Sequence, residues 1–85
     1  MKTHRDYILM KIYWVDAETY GDSSWISIEE GIEKAKTPPP TMQSVGWVLY
    51  KDDCYVALTS DIGDEECGHI TKIPISMITY SETLE

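Results

Sequence analysis

Arginine is nearly missing from this chain: Arg5 is the only one, and Lys and Arg together number seven against fifteen Asp and Glu, a formal charge of −8. Contact with a nucleic-acid backbone needs clustered Lys and Arg, so no direct nucleic-acid binding is expected. Histidine is limited to His4 and His69, and cysteine to Cys54 and Cys67. That is too little for a disulfide framework or a paired-cysteine zinc site, and both cysteines are expected to be reduced. No apolar run approaches a membrane span, and Tyr7–Val15 is interrupted by Lys11 and has no small-residue cleavage site. The shortages point to a soluble intracellular protein. Its 85 residues allow one domain, 1–85, with a small core that gains from oligomerisation.

Phenylalanine is absent, yet three Trp and six Tyr are present. Two of those tyrosines and one tryptophan fall in the stretch around which the chain is organised, Val45–Ser60. It reads as two strands joined at Asp52-Asp53, with Lys51 opposite Cys54, Leu49 opposite Val56 and Trp47 opposite Leu58. This register predicts one face of Val45, Trp47, Leu49, Cys54, Val56 and Leu58. The other face would carry Gly46, Val48, Tyr50, Tyr55, Ala57 and Thr59, with Tyr50 facing Tyr55 across the strands. A hairpin that is apolar on one side and semi-apolar on the other implies a strongly curved sheet or a second covered surface.

Upstream, Ile8, Met10, Ile12 and Trp14 alternate with more polar neighbours, which predicts a first strand over Tyr7–Val15. Asp16–Ser24 reads as a loop turning at Gly21–Ser24. Ser27-Ile28-Glu29-Glu30 has capping-box spacing and predicts a helix with Ile28, Ile32 and Ala35 on one face. Gly31 weakens that helix by about 1 kcal/mol, so it needs tertiary packing to persist, and Pro38-Pro39-Pro40 ends it. Downstream, 61–68 reads as an acidic loop and His69–Ile73 as a strand. Ile75-Ser76-Met77 reads as a single turn opened by Pro74, Ile78–Tyr80 as a short strand, and Ser81–Glu85 as a frayed tail. The expected fold is α+β: a small, strongly bent antiparallel sheet with one short helix. The element order of its second half is similar to that of SH3-like and Sm-like partial barrels.

The string Val45–Leu58, followed by Ile73-Pro74 and Met77-Ile78, resembles a family of small uncharacterised bacteriophage accessory proteins. Trp14-Val15-Asp16-Ala17 and Trp25–Glu30 are similar to the same family, so the resemblance spans most of the chain. It implies a phage product in the host cytoplasm during infection, of the kind that antagonises antiviral defence, in some cases by sequestering a nucleotide signal. The resemblance supplies no residue roles.

Candidate chemistry therefore rests on the residues. Asp61, Asp64, Glu65, Glu66, Cys67 and His69 mix hard and soft donors and match neither a zinc nor a calcium spacing, so they read as a solvated loop. Cys67 and His69 could meet along a strand, but no oxyanion donor accompanies them. Tyrosine and tryptophan suit half-buried binding surfaces. Tyr20, Trp25, Tyr50 and Tyr55 are accordingly the candidate ligand or interface residues, with Lys51 and Lys72 for a phosphate, while Trp14 and Trp47 read as core. The expected function is non-enzymatic: an anti-defence protein, a homo-oligomer that sequesters a small nucleotide-type signal, with no cofactor, metal or membrane. The alternative is an acidic inhibitor of a host enzyme or defence protein, acting as a nucleic-acid mimic.

Overall fold

The alternation of Met10, Ile12 and Trp14 does form a strand, and it becomes the fourth of five in one antiparallel sheet. The computed structural model describes residues 6–19 and 25–84. Within them lie β1 (Leu9–Val15), α1 (Ile28–Ala35), β2 (Thr41–Lys51), β3 (Tyr55–Ile62), β4 (Cys67–Pro74), a 3₁₀ turn (Ile75–Met77) and β5 (Ile78–Thr83). The strand order is β4-β3-β2-β1-β5 and every pairing is antiparallel. The molecule is mostly sheet, with one short helix.

That order puts β4 and β5 at opposite edges although only the 3₁₀ turn separates them in sequence. In a flat five-stranded sheet the edges would be about 19 Å apart, four strand spacings. A three-residue 3₁₀ turn rises only about 6 Å. The sheet must therefore curl until its edges approach, and the Ile75 amide, which donates to the Cys54 carbonyl at 2.9 Å, ties the turn to the start of β3. The curl makes one face concave. Ile12, Val56, Leu58 and Ile73 are buried there, with Met10, Trp14, Val48, Ile75 and Ile78 packed around them. Trp14 keeps its polar handle satisfied by donating from Nε1 to Ser44 Oγ at 3.0 Å.

The central hairpin differs from its predicted register. Asp52 Oδ1 accepts from the Cys54 and Tyr55 amides at 2.7 and 3.0 Å, and the Asp52 amide donates to the Tyr55 carbonyl at 3.0 Å. The side chain thus builds its own turn, and the two-residue connection moves one place on to Asp53-Cys54. Lys51 then pairs with Val56 and Tyr50 with Ala57, and a bulge at Leu49 resets the register so that Val48 pairs with Leu58 and Trp47 with Thr59. A one-residue slip exchanges the faces of a strand. Gly46 and Val48 therefore join Val56 and Leu58 on the concave side, while Val45 and Trp47 lie on the convex side. Trp14 packs against the core as predicted, but Trp47 does not belong to it.

Other boundaries move for non-local reasons. β2 begins at Thr41, four residues before the predicted strand start at Val45, because residues 41–44 pair with the second half of β1. The predicted 61–68 loop is partly strand: Asp61 pairs with Gly68 and Ile62 with Cys67. Ser81, Glu82 and Thr83 are not frayed but pair with Ile12, Lys11 and Met10, and the Leu84 amide donates to Leu9 O at 2.9 Å. The predicted turn at Gly21–Ser24 lies outside the described residues.

The helix obeys its local signals. Ser27 caps it, its Oγ accepting from the Glu30 amide at 3.1 Å, and Lys36 closes it with its own amide on Ile32 O. No residue of α1 is buried: Ile28 is 83% and Ile32 50% exposed, and Trp25 just ahead of it is 98% exposed. No described helix is long and apolar enough to cross a membrane.

Candidate functional site

The convex face of the sheet is built by the pairings that place every other residue outward. Across it run the rows Tyr80–Tyr13–Gln43, Glu82–Lys11–Val45, Trp47–Thr59–Ile70 and Tyr50–Ala57–Lys72. Tyr50, Val45, Ile70 and Tyr80 are each about half exposed, between 51% and 57%. Thr59 beneath them is fully buried, and its hydroxyl bonds to the Asp61 and Gly68 carbonyls. The surface thus sets half-exposed apolar and aromatic groups among Gln43, Lys11, Glu82 and Lys72, over a buried threonine.

Two aromatic pairs occupy it. Tyr50 and Tyr55 stack obliquely with centroids 5.5 Å apart, and Tyr13 and Tyr80 do so at 5.7 Å. The bulge at Leu49 is what delivers Tyr50 to this side, since an unbroken alternation from Val48 would have turned it into the core. A second bulge between Tyr13 and Trp14 in the β1–β5 pairing performs the same service beside Tyr80, and Thr79 Oγ1 there donates to Tyr13 O at 3.2 Å. Each pair has a lysine near it. Lys11 Nζ lies 5.1 Å from the Tyr13 ring centroid, within cation–π range, and Lys72 stands in the row of Tyr50.

Tyr50 also donates its hydroxyl to Asp52 Oδ2 at 3.0 Å. That hydrogen bond, with the charge of Asp52, raises the Tyr50 pKa above the ordinary tyrosine value. Asp52 in turn is held below the usual carboxylate range, first by the amides of Cys54 and Tyr55 and in lesser part by the Tyr50 hydroxyl. One carboxylate therefore fixes both the hairpin turn and the orientation of the aromatic pair.

Of the residues predicted from sequence, the structure brings Tyr50, Tyr55 and Lys72 together on the convex face. Lys51 pairs with Val56 and so belongs to the opposite face, at its exposed edge. Trp25 stands apart, ahead of α1. Tyr20 lies outside the described residues. Sequence reasoning missed Tyr13, Tyr80, Val45 and Ile70; Tyr13, at an odd position of β1, carried a signal, but its neighbour on β5 could not be paired to it without the fold.

Two clefts, of about 340 and 480 Å³, flank the β3–β4 turn and share Ile62, Gly63, Glu66 and Cys67. The first also carries Asp64 and Glu65, so an anionic ligand is repelled there. Among the described residues no three of His, Cys, Asp and Glu converge as metal ligands, and Cys54 and Cys67 are free and exposed. His69 has a left-handed φ of 53°. That conformation interrupts the regular strand alternation on which a Cys67–His69 contact was predicted.

No family model, curated protein or solved structure matches this chain.

Proposed function

We propose that the protein acts by binding, not catalysis, and that its convex aromatic face is the binding surface. The observation that carries this reading is the Tyr50–Tyr55 pair with Lys72 in the same row beyond Ala57, on a face left half exposed. A planar base stacks on such a pair at a gain of about 1–3 kcal/mol, and the lysine suits its phosphate. The ligand class is a small nucleotide-type signal, held where a second subunit closes this shallow surface. The phage resemblance of Val45–Leu58 supplies the setting: an accessory protein in the host cytoplasm that sequesters a defence signal. In the same reading the curled sheet is an SH3-like or Sm-like partial barrel, supported by the order β4-β3-β2-β1-β5 and by the 3₁₀ turn linking the edge strands.

Native mass spectrometry of the protein with cyclic oligonucleotides and ADP-ribose derivatives tests it. An oligomer should take up one panel member and release it chemically intact, and Tyr50→Ala with Tyr55→Ala should abolish uptake. No uptake by the folded wild-type chain across the panel overturns the sequestration reading.

A second reading, an acidic inhibitor of a host protein, is favoured by a different observation: the formal charge of −8 and the carboxylates of Asp64, Glu65 and Glu66 around the first cleft. It requires a basic target, and its binding must weaken steeply as salt rises. Pull-down from infected-host lysate at low and high salt separates the two readings, since stacking on tyrosine is much less sensitive to ionic strength.

A further inference from the structure

Two apolar surfaces have no cover among the described residues: the Ile28/Ile32 face of α1 with Trp25 ahead of it, and the convex face of the sheet. An isolated helix shorter than about 12–15 residues is marginal in water even when rich in alanine. α1 has eight residues, includes Gly31, and buries none of them. Something must cover it for it to persist.

Its own sheet is badly placed to do so. The base of the α1 segment is pinned where the Asp16 amide donates to Pro40 O at 3.1 Å, at the end of the β1–β2 pairing. Pro38-Pro39-Pro40 is a stiff spacer between that base and the helix. The outline matches a projecting arm: the radius of gyration is 17.2 Å and the extents are 57 × 25 × 20 Å, whereas a compact chain of this length has a radius of about 12 Å.

We propose that α1 of one copy docks on the convex sheet face of a second copy, and reciprocally, so that the protein works as an arm-exchanged two-fold dimer. The charges fit. Glu29 and Glu30 flank the helix's isoleucines, Glu33 being paired with Lys36 at 3.4 Å, and the sheet face offers Lys72 among its exposed apolar groups and Lys11 beside Glu82. The area also fits. A stable interface buries about 800 Å² per partner, and in a two-fold exchange each chain contributes both surfaces, so about 400 Å² from each suffices. The proposal shares with the nucleotide reading a second subunit over this face but is tested without ligand, so a dimer that takes up no nucleotide upholds it while the sequestration reading fails.

The test uses the full chain and two variants, each altered on one exposed surface: Ile28→Glu with Ile32→Glu on the helix, and Val45→Glu with Ile70→Glu on the sheet. Circular dichroism confirms that each retains the wild-type sheet signal. In light scattering coupled to size exclusion, the wild type is expected at twice the 9.7 kDa chain mass, and each variant alone at the chain mass. Mixed in equal amounts they retain one helix-on-sheet contact and lose the other, about half of the interface, so the mixture should associate only at concentrations well above those that dimerise the wild type. A monomeric wild type overturns the proposal. So does a sheet variant that stays dimeric alone, since that is helix-on-helix pairing, or a helix variant that stays dimeric alone, since that is sheet-on-sheet pairing. Should Val45→Glu with Ile70→Glu lose its sheet signal, Tyr80→Glu takes its place in the same test.

Discussion

Gly46→Ala should be among the most damaging single-methyl additions this chain can receive. A Cβ at Gly46 would lie 2.6 Å from the Thr59 carbonyl oxygen and 3.2 Å from Leu58 Cβ, where favourable carbon contacts begin near 3.5 Å. The obstructing oxygen belongs to backbone, so no rotamer change relieves it. Thr59 is also fully buried and bonded through its hydroxyl to the Asp61 and Gly68 carbonyls, which fixes its position. Overpacking costs about 1–3 kcal/mol, and a backbone obstruction belongs at the upper end. A domain of this size has about 4–13 kcal/mol of total stability, and each kcal/mol moves its Tm by about 4–8 °C. A fall of about 12–24 °C is therefore expected. Thermal melts at one fixed protein concentration measure it, because any dimerisation makes Tm depend on concentration. Gly31→Ala is the matched control: its new methyl meets only Ile26 Cδ1 at 3.8 Å, and helix propensity should stabilise α1 by up to about 1 kcal/mol. A Gly46→Ala protein that melts within about 4 °C of wild type would refute the claim that β2 and β3 are in backbone contact at this point.

Ile73→Ala, at a side chain with no exposure in the concave core, should cost about 2–5 kcal/mol, read from the urea midpoint with an unchanged slope. Because the folded pKa of Asp52 is depressed by the Cys54 and Tyr55 amides, the stability it lends is present above the ordinary carboxylate value and lost as pH falls through the folded one. Asp52→Asn should therefore flatten the acid limb of a stability-versus-pH curve, and an unaltered limb would refute the assignment. Tyr50 runs the other way: its pKa is raised by Asp52, so its contribution is full below the ordinary tyrosine value and is lost as pH rises through the folded one. Ultraviolet titration should show Tyr50 ionising above the ordinary tyrosine value, and Asp52→Asn should bring that ionisation down toward it.

The parts of the candidate site that were legible in the sequence are those made by near neighbours in the chain. Tyr50 and Tyr55 lie either side of one turn, so almost any hairpin register leaves them close, and their rings do meet although the turn sits at Asp53-Cys54 and not at Asp52-Asp53. Tyr13 and Tyr80 belong to strands at the two ends of the chain. Their pairing depends on β5 finding the free edge of β1, for which no local pattern exists.

The sequence by itself determined the Ser27 cap, the end of the helix before the three prolines, the inward alternation of Met10, Ile12 and Trp14, and the turn after Pro74. Each follows from hydrogen bonds, fixed dihedrals or burial periodicity that a few adjacent residues satisfy alone. Only the tertiary structure decided that Val48 and not Trp47 enters the core, that Ser81–Thr83 are strand, and that α1 buries none of its residues. Those outcomes depend on which backbone groups remain unpaired after the strands assemble. One aspartate carboxylate at a turn and one bulged leucine were enough to choose between faces of nearly equal hydrophobicity.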